Sequence, residues 1–157
     1  MKDTEPSVEG DFWHQHSAIS QLIIEASHLV DQRDFKAFAA LFTADGALYR
    51  PTTPEPLVGP AAIALSYSAT PTTRINRHLI SNLRIACQSA TEATSSAYVT
   101  LYSSDAAESA DPIFGATVQR CLIGAFHDRL VWQDKRWWIQ ERRAAFALNA
   151  SPQGQQR

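Results

Sequence analysis

A chain of 157 residues with a formal net charge of −2 fits one domain better than two, and it lacks the basic excess that nucleic acid or an anionic membrane asks of a partner. With 45% hydrophobic and 19% charged residues it can bury about 70% of the surface its unfolded form exposes, so it needs no covalent or metal staple to fold. Cys87 and Cys121 stand in no Cys-x-x-Cys pair and are read as buried thiols of a reducing compartment. The polar start of the chain lacks the apolar core of a secretory signal, and no apolar run approaches the ~20 residues of a membrane span, so a cytoplasmic location is expected.

Residues 1–15 read as a flexible arm, residues 16–148 as one domain, and residues 149–157, rich in Gln with Pro152 and Gly154, as a frayed tail. Over residues 17–33, Ile19, Leu22, Ile23, Ala26 and Val30 recur at helical spacing and form one apolar stripe. Asp31 falls about 100° round from Val30, at the edge of the stripe, where a carboxylate can reach an interior; His28 falls on the far side. Asp34 is placed to cap a second helix through residue 42, with Phe35, Phe38, Ala39 and Phe42 on one face. Asp45-Gly46 signals a turn. A short strand over residues 47–50 is cut off by Pro51, Pro54 and Pro56, and Gly59-Pro60 opens a third helix through residue 67.

Strands follow over residues 74–88, 93–103, 113–128 and 130–148, with a short link around Asp128 and Arg129 and a second turn at Asp134-Lys135-Arg136. Helices first and long antiparallel strands later give an α+β class, with helices on one face of a curved sheet and a hollow between them suited to a small molecule. Alternation along the first long strand puts Arg74, Asn76, His78, Ile80 and Asn82 on one face. Leu79 and Leu83 make the other face apolar as well, which is read as packing against a neighbouring layer, across a homodimer or homotrimer contact. His127, Asp128 and the pair Arg142-Arg143 are expected at the surface. Trp13, Trp132, Trp137 and Trp138 are assigned to core or interface, with Trp13 alternatively folding over the mouth of the hollow. His14 and His16 have the spacing of two ligands on a strand but lack a third, so no metal is assigned.

The order of these elements, with Leu29-Val30-Asp31-Gln32-Arg33-Asp34-Phe35, Leu41-Phe42-Thr43-Ala44-Asp45-Gly46-Ala47, Val58-Gly59-Pro60-Ala61-Ala62-Ile63, Arg77-His78-Leu79-Ile80-Ser81-Asn82 and Arg136-Trp137-Trp138-Ile139, resembles the nuclear transport factor 2-like superfamily and its SnoaL-like branch. The resemblance spans most of residues 17–146 and implies a cone-shaped fold whose curved, mostly antiparallel sheet encloses a pocket. Asp31 and His78 look like the Asp-His pair of scytalone dehydratase, bile acid dehydratase and hexachlorocyclohexane dehydrochlorinase, which abstract a proton from carbon and expel a β leaving group. Tyr49 resembles a pocket tyrosine of scytalone dehydratase. Two departures set the chain apart from that enzyme: Val30 stands where it has a second tyrosine, and Ser103 falls near its second pocket histidine.

What the resemblance implies is a cofactor-independent lyase or isomerase. Asp31 and His78 would be its acid/base pair, acting on a small, fairly apolar hydroxylated ring compound, with Tyr49, Asn82 and Trp13 as substrate contacts. A carboxylate accepting a hydrogen bond from one ring nitrogen fixes the imidazole tautomer, presents the other nitrogen to substrate and stabilises the imidazolium. The same stretches are also similar to the small subunits of aromatic-ring dioxygenases, which serve structurally, so a ligand-binding or assembly module is the alternative. Polyketide cyclisation or epoxide opening is a third possibility, although no Asp-Arg-Asp arrangement for the latter is evident.

Overall fold

The computed structural model describes residues 8–152. Helix α1 spans Val8–Asp31, α2 Phe35–Ala39 and α3 Gly59–Ser68. The strands are β1 (Phe42–Tyr49), β2 (Leu57–Val58), β3 (Ile75–Cys87), β4 (Glu92–Ser104), β5 (Arg120–Gln133) and β6 (Arg136–Asn149). They form one six-stranded sheet in the order β2-β1-β6-β5-β4-β3, antiparallel except for β1 beside β6. The α+β class expected from the sequence is the class observed. The stripe read along α1 is the core seam: Ile19, Ile23, Ala26 and Val30 are buried against Phe38, Phe42, Leu48, Leu130 and Ile139. Burying a side chain of this size stabilises by about 1.5–3 kcal/mol.

Several boundaries differ from the sequence reading. Residues 8–15 continue α1 instead of forming an arm, while residues 1–7 and 153–157 lie outside the described residues. Asp34 caps α2 as expected, accepting from the Ala37 N–H at 2.9 Å, but α2 stops at Ala39. Asp45-Gly46 makes no turn; it lies inside β1, where the register against β6 shifts between Phe42 and Ala47. Residues 113–119 are not strand. Asp111 instead accepts from the Ile113 and Phe114 N–H groups in a local turn. Nor does the chain break at Asp128-Arg129: β5 runs straight through, and the hairpin forms at Asp134-Lys135, both at positive φ as a two-residue turn requires. Cys87 is exposed and Cys121 half-buried, so neither is a core thiol.

Two bulges decide which side chains face the helices. In β3, Ser81 pairs with Tyr98 but Arg84 with Ser96, so two residues face one. Asn82 takes φ 51 there, and inward parity passes from Ile80 to Leu83 and Ile85, which pack on the core. The apparent two-sided apolarity of β3 is this parity change. Leu79 is exposed on the outer face, where the sequence reading had it packed against another layer. In β6, Ile139 pairs with Leu130 but Glu141 with Arg129, leaving Gln140 as the extra residue. Arg142 therefore turns into the buried side.

Candidate active site

Helix α1 ends where its last residue can work. Arg33 adopts the left-handed conformation at φ 65; the Asp34 N–H reaches back to the Leu29 carbonyl at 2.9 Å, and the Arg33 N–H to that of Val30 at 3.1 Å. That stop leaves Asp31 on the final turn. The strain of a non-glycine residue at positive φ is offset by the Arg33 guanidinium, which donates to the Thr70 and Pro71 carbonyls at 2.9 and 3.0 Å. The same contacts pin the loop between α3 and β3.

From that position Asp31 meets His78 twice. One carboxylate oxygen lies 2.6 Å from Nδ1, and the other accepts the His78 backbone N–H at 2.7 Å. β3 is one of the sheet's two edge strands, so the carboxylate also caps an edge N–H that no described strand pairs with. An ionised carboxylate can only accept, so in that state Nδ1 is the donor, and a neutral imidazole then keeps Nε2 as its bare nitrogen. His78 lines a hollow of about 360 Å³ between sheet and helices, and Asp31 lines it beside His78. Apolar walls come from Val30, Phe35, Leu101, Leu122 and Phe126.

The hollow is not uniformly apolar. Asn76, two residues before His78 on the same face, lines it with a buried Oδ1 that has no hydrogen-bond partner among the described residues. Tyr67 of α3 lines it too. Burial pushes its phenol up, against the downward pull of the Arg50 guanidinium, so it stays protonated as a donor. Arg50 lies over the Tyr67 ring at 4.7 Å and donates to Ser66 Oγ. Arg33, Arg74 and Arg120 also line the hollow.

The other expected contacts are not brought to this hollow. Leu48 is buried on the inner face of β1, so Tyr49 turns to the opposite face, where the Arg143 guanidinium covers its ring at 3.8 Å. One residue on, Arg50 has the inward parity and takes the place the sequence reading gave to Tyr49. Asn82 sits on the β3 bulge and is exposed. Trp13 is 62% exposed on α1 and stacks edge-on with Phe12 and His16. Arg50, Asn76 and Tyr67 were missed. Asn76 was legible as two residues from His78, and Arg50 as two residues from apolar Leu48 on the same strand.

A second carboxylate lies deeper. Asp128 accepts from Arg142 Nε at 2.7 Å and Nη2 at 2.9 Å, with Ser95 Oγ adding a bond at 3.3 Å. Both were expected at the surface and both are buried. The Arg142 guanidinium lies over Phe126 at 4.6 Å. Phe126 lines the hollow, so this ion pair lies behind its wall.

A family model described as a SnoaL-like domain matches residues 13–143. The chain belongs to the SnoaL-like domain family. Solved structures carry the same fold. A provisionally named scytalone dehydratase of Novosphingobium aromaticivorans is 20% identical, with 92% of each chain covered and a TM-score of 0.75. A hexachlorocyclohexane dehydrochlorinase, LinA type 2, is 14% identical over 93% of this SnoaL-like chain and 94% of its own, at a TM-score of 0.74. Rv3472 of Mycobacterium tuberculosis, a protein of unknown function, is 22% identical over 92% and 78%, at 0.74. A search of curated proteins finds no match to the sequence. No described helix of this SnoaL-like chain is long and apolar enough to cross a membrane.

Proposed function

We propose that this SnoaL-like chain is a cofactor-independent lyase or isomerase in which His78 is the general base and Asp31 its orienting partner. The observation that carries the reading is the doubly bonded Asp31–His78 pair in the wall of a hollow lined by apolar side chains. His78 Nε2 takes a proton from the carbon next to an activating group, the C–H electron pair becomes the new double bond, and the bond to the β-hydroxyl breaks. The imidazolium returns its proton to the departing hydroxide, which leaves as water. Asp31 stabilises the imidazolium throughout. Protonated Tyr67 and the Asn76 side chain, both lining the hollow, take over the polar contacts expected of Tyr49 and Asn82. Dehydratase- and dehydrochlorinase-named neighbours in fold support the class of reaction.

The test is elimination from a panel of cyclic β-hydroxy ketones, followed by the conjugated absorption of the product. The wild-type chain is expected to turn over at least one member, and His78→Ala and Asp31→Asn to lose about 10²- to 10⁴-fold in rate while keeping the native circular dichroism spectrum. Full activity in both variants contradicts the proposal.

A further inference from the structure

The charge on the walls of the hollow runs against that of the whole chain. The protein carries a net charge of −2, yet four guanidiniums, those of Arg33, Arg50, Arg74 and Arg120, line the hollow. Two carboxylates stand beside them. Asp31 is engaged by His78, and Asp105 is shared by Arg74 and Arg120. Arg33 spends its donors on two loop carbonyls. Arg50 differs from all of these. Among the described residues no carboxylate lies within salt-bridge distance of it. Its partners are the Ser66 hydroxyl and Tyr67, whose ring it covers and whose phenol oxygen it also engages, and its buried Nε has no hydrogen-bond partner among the described residues. Withdrawing a guanidinium N–H from water without an acceptor is costly, and such a group is normally paired.

We propose that Arg50 is the anchor for an acidic group on the substrate, so that the ligand of this hollow is a small ring compound bearing a carboxylate. A guanidinium fork matches a carboxylate in two parallel hydrogen bonds, and Arg50 is the lining guanidinium whose donors neither a carboxylate nor a pair of loop carbonyls takes up. The surplus of cations in a partly closed, low-dielectric space draws an anion in and holds it. The apolar walls take the ring, and a hollow of about 360 Å³ suits a one- or two-ring acid. This deepens the dyad proposal and rests on its assumption that the hollow is the substrate site.

The experiment is calorimetric titration of the full chain with cyclohexanecarboxylate, phenylacetate and cinnamate, each beside its uncharged primary amide. At least one acid is expected to bind about tenfold or more tightly than its amide. Arg50→Gln is expected to bring that ratio close to one with amide affinity little changed, and His78→Ala to leave the ratio intact. Acids that bind no better than amides, or do not bind at all, overturn the inference, as does an unchanged ratio in Arg50→Gln. Should that variant fail to fold, Arg50→Lys decides: a fall in the ratio supports the anchor and an unchanged ratio refutes it. The two proposals fail separately. A chain that eliminates water from neutral hydroxy ketones without preferring acids loses the anchor and keeps the dyad. A chain that prefers acids but loses no activity in His78→Ala keeps the anchor and loses the dyad.

Discussion

Asp31 and Asp128 each accept two short hydrogen bonds from one partner residue, but their surroundings differ. The Asp128–Arg142 side chains are 1% and 3% exposed, behind the Phe126 ring, with every carboxylate oxygen engaged by a guanidinium that cannot lose its charge. The Asp31–His78 side chains are 11% and 14% exposed on the wall of the hollow, and the partner of the carboxylate is an imidazole, a group that can both accept and donate a proton. The first pair is buried and fully engaged, which suits it to holding the sheet together. The second is open on one side and pairs its carboxylate with an imidazole, which is what the proposed proton transfer requires. On the proposed reading, similar geometry serves structure in one place and chemistry in the other, and solvent access with the partner's chemistry makes the difference.

The largest expected effect comes from breaking the sealed pair. Arg142→Ala should lower stability in denaturant titration by about 3–5 kcal/mol, because it strands a buried carboxylate. Replacing both members with apolar residues, Asp128→Leu with Arg142→Met, should recover most of that loss; a double variant as weak as the single one would show that the pair is more than a satisfied charge. At the open pair the asymmetry should be finer. Asp31→Ala removes two hydrogen bonds to a charged group and is expected to cost about 2 kcal/mol, whereas His78→Ala keeps the backbone N–H bond to Asp31 and should cost under about 1 kcal/mol. Equal losses in the two variants would mean that the edge clasp on β3 carries no weight.

The smallest effect concerns Tyr67, which feels both Arg50 and Arg142. Its phenol is raised above its ordinary value by burial, so the native state holds that proton more tightly than the unfolded chain does. The stability this contributes is complete below about pH 10 and is lost as pH rises through the folded value. Tyr67→Phe should therefore show a shallower fall in stability than wild type on the alkaline side, measured by urea unfolding at a series of pH values. An identical slope would place the phenol in contact with water.

What could be read from residues alone follows from where local rules hold. The α1 stripe, the Asp34 cap and the Pro60 start of α3 are set by short-range periodicity and capping, and they stand as expected apart from the extra turns before Ser17. Asp31 and His78 were legible because one ends an amphipathic helix and the other precedes any bulge on its strand. Asn82 and Leu83 were misplaced by alternation, and Arg142 by reading the Arg142-Arg143 pair as a solvated strand end; bulges underlie both. A single extra residue in β3 or β6 reverses the inward face of everything beyond it, and alternation carries no mark of where that residue falls. Tyr49 was assigned to the pocket by resemblance alone, and the burial of Leu48 beside it turns Tyr49 to the opposite face. Arg50 could be seen as a cation beside an apolar strand. Its lack of a partner emerges only when the chain is folded.

The most direct measurement is the tautomer of His78, read by long-range proton–nitrogen correlation in the ¹⁵N-labelled chain near neutral pH. The account predicts a proton on Nδ1 and a bare Nε2 in wild type, with that preference lost in Asp31→Ala. A proton on Nε2 in the wild-type chain would contradict it, because the nitrogen not held by Asp31 could not then accept one from a substrate.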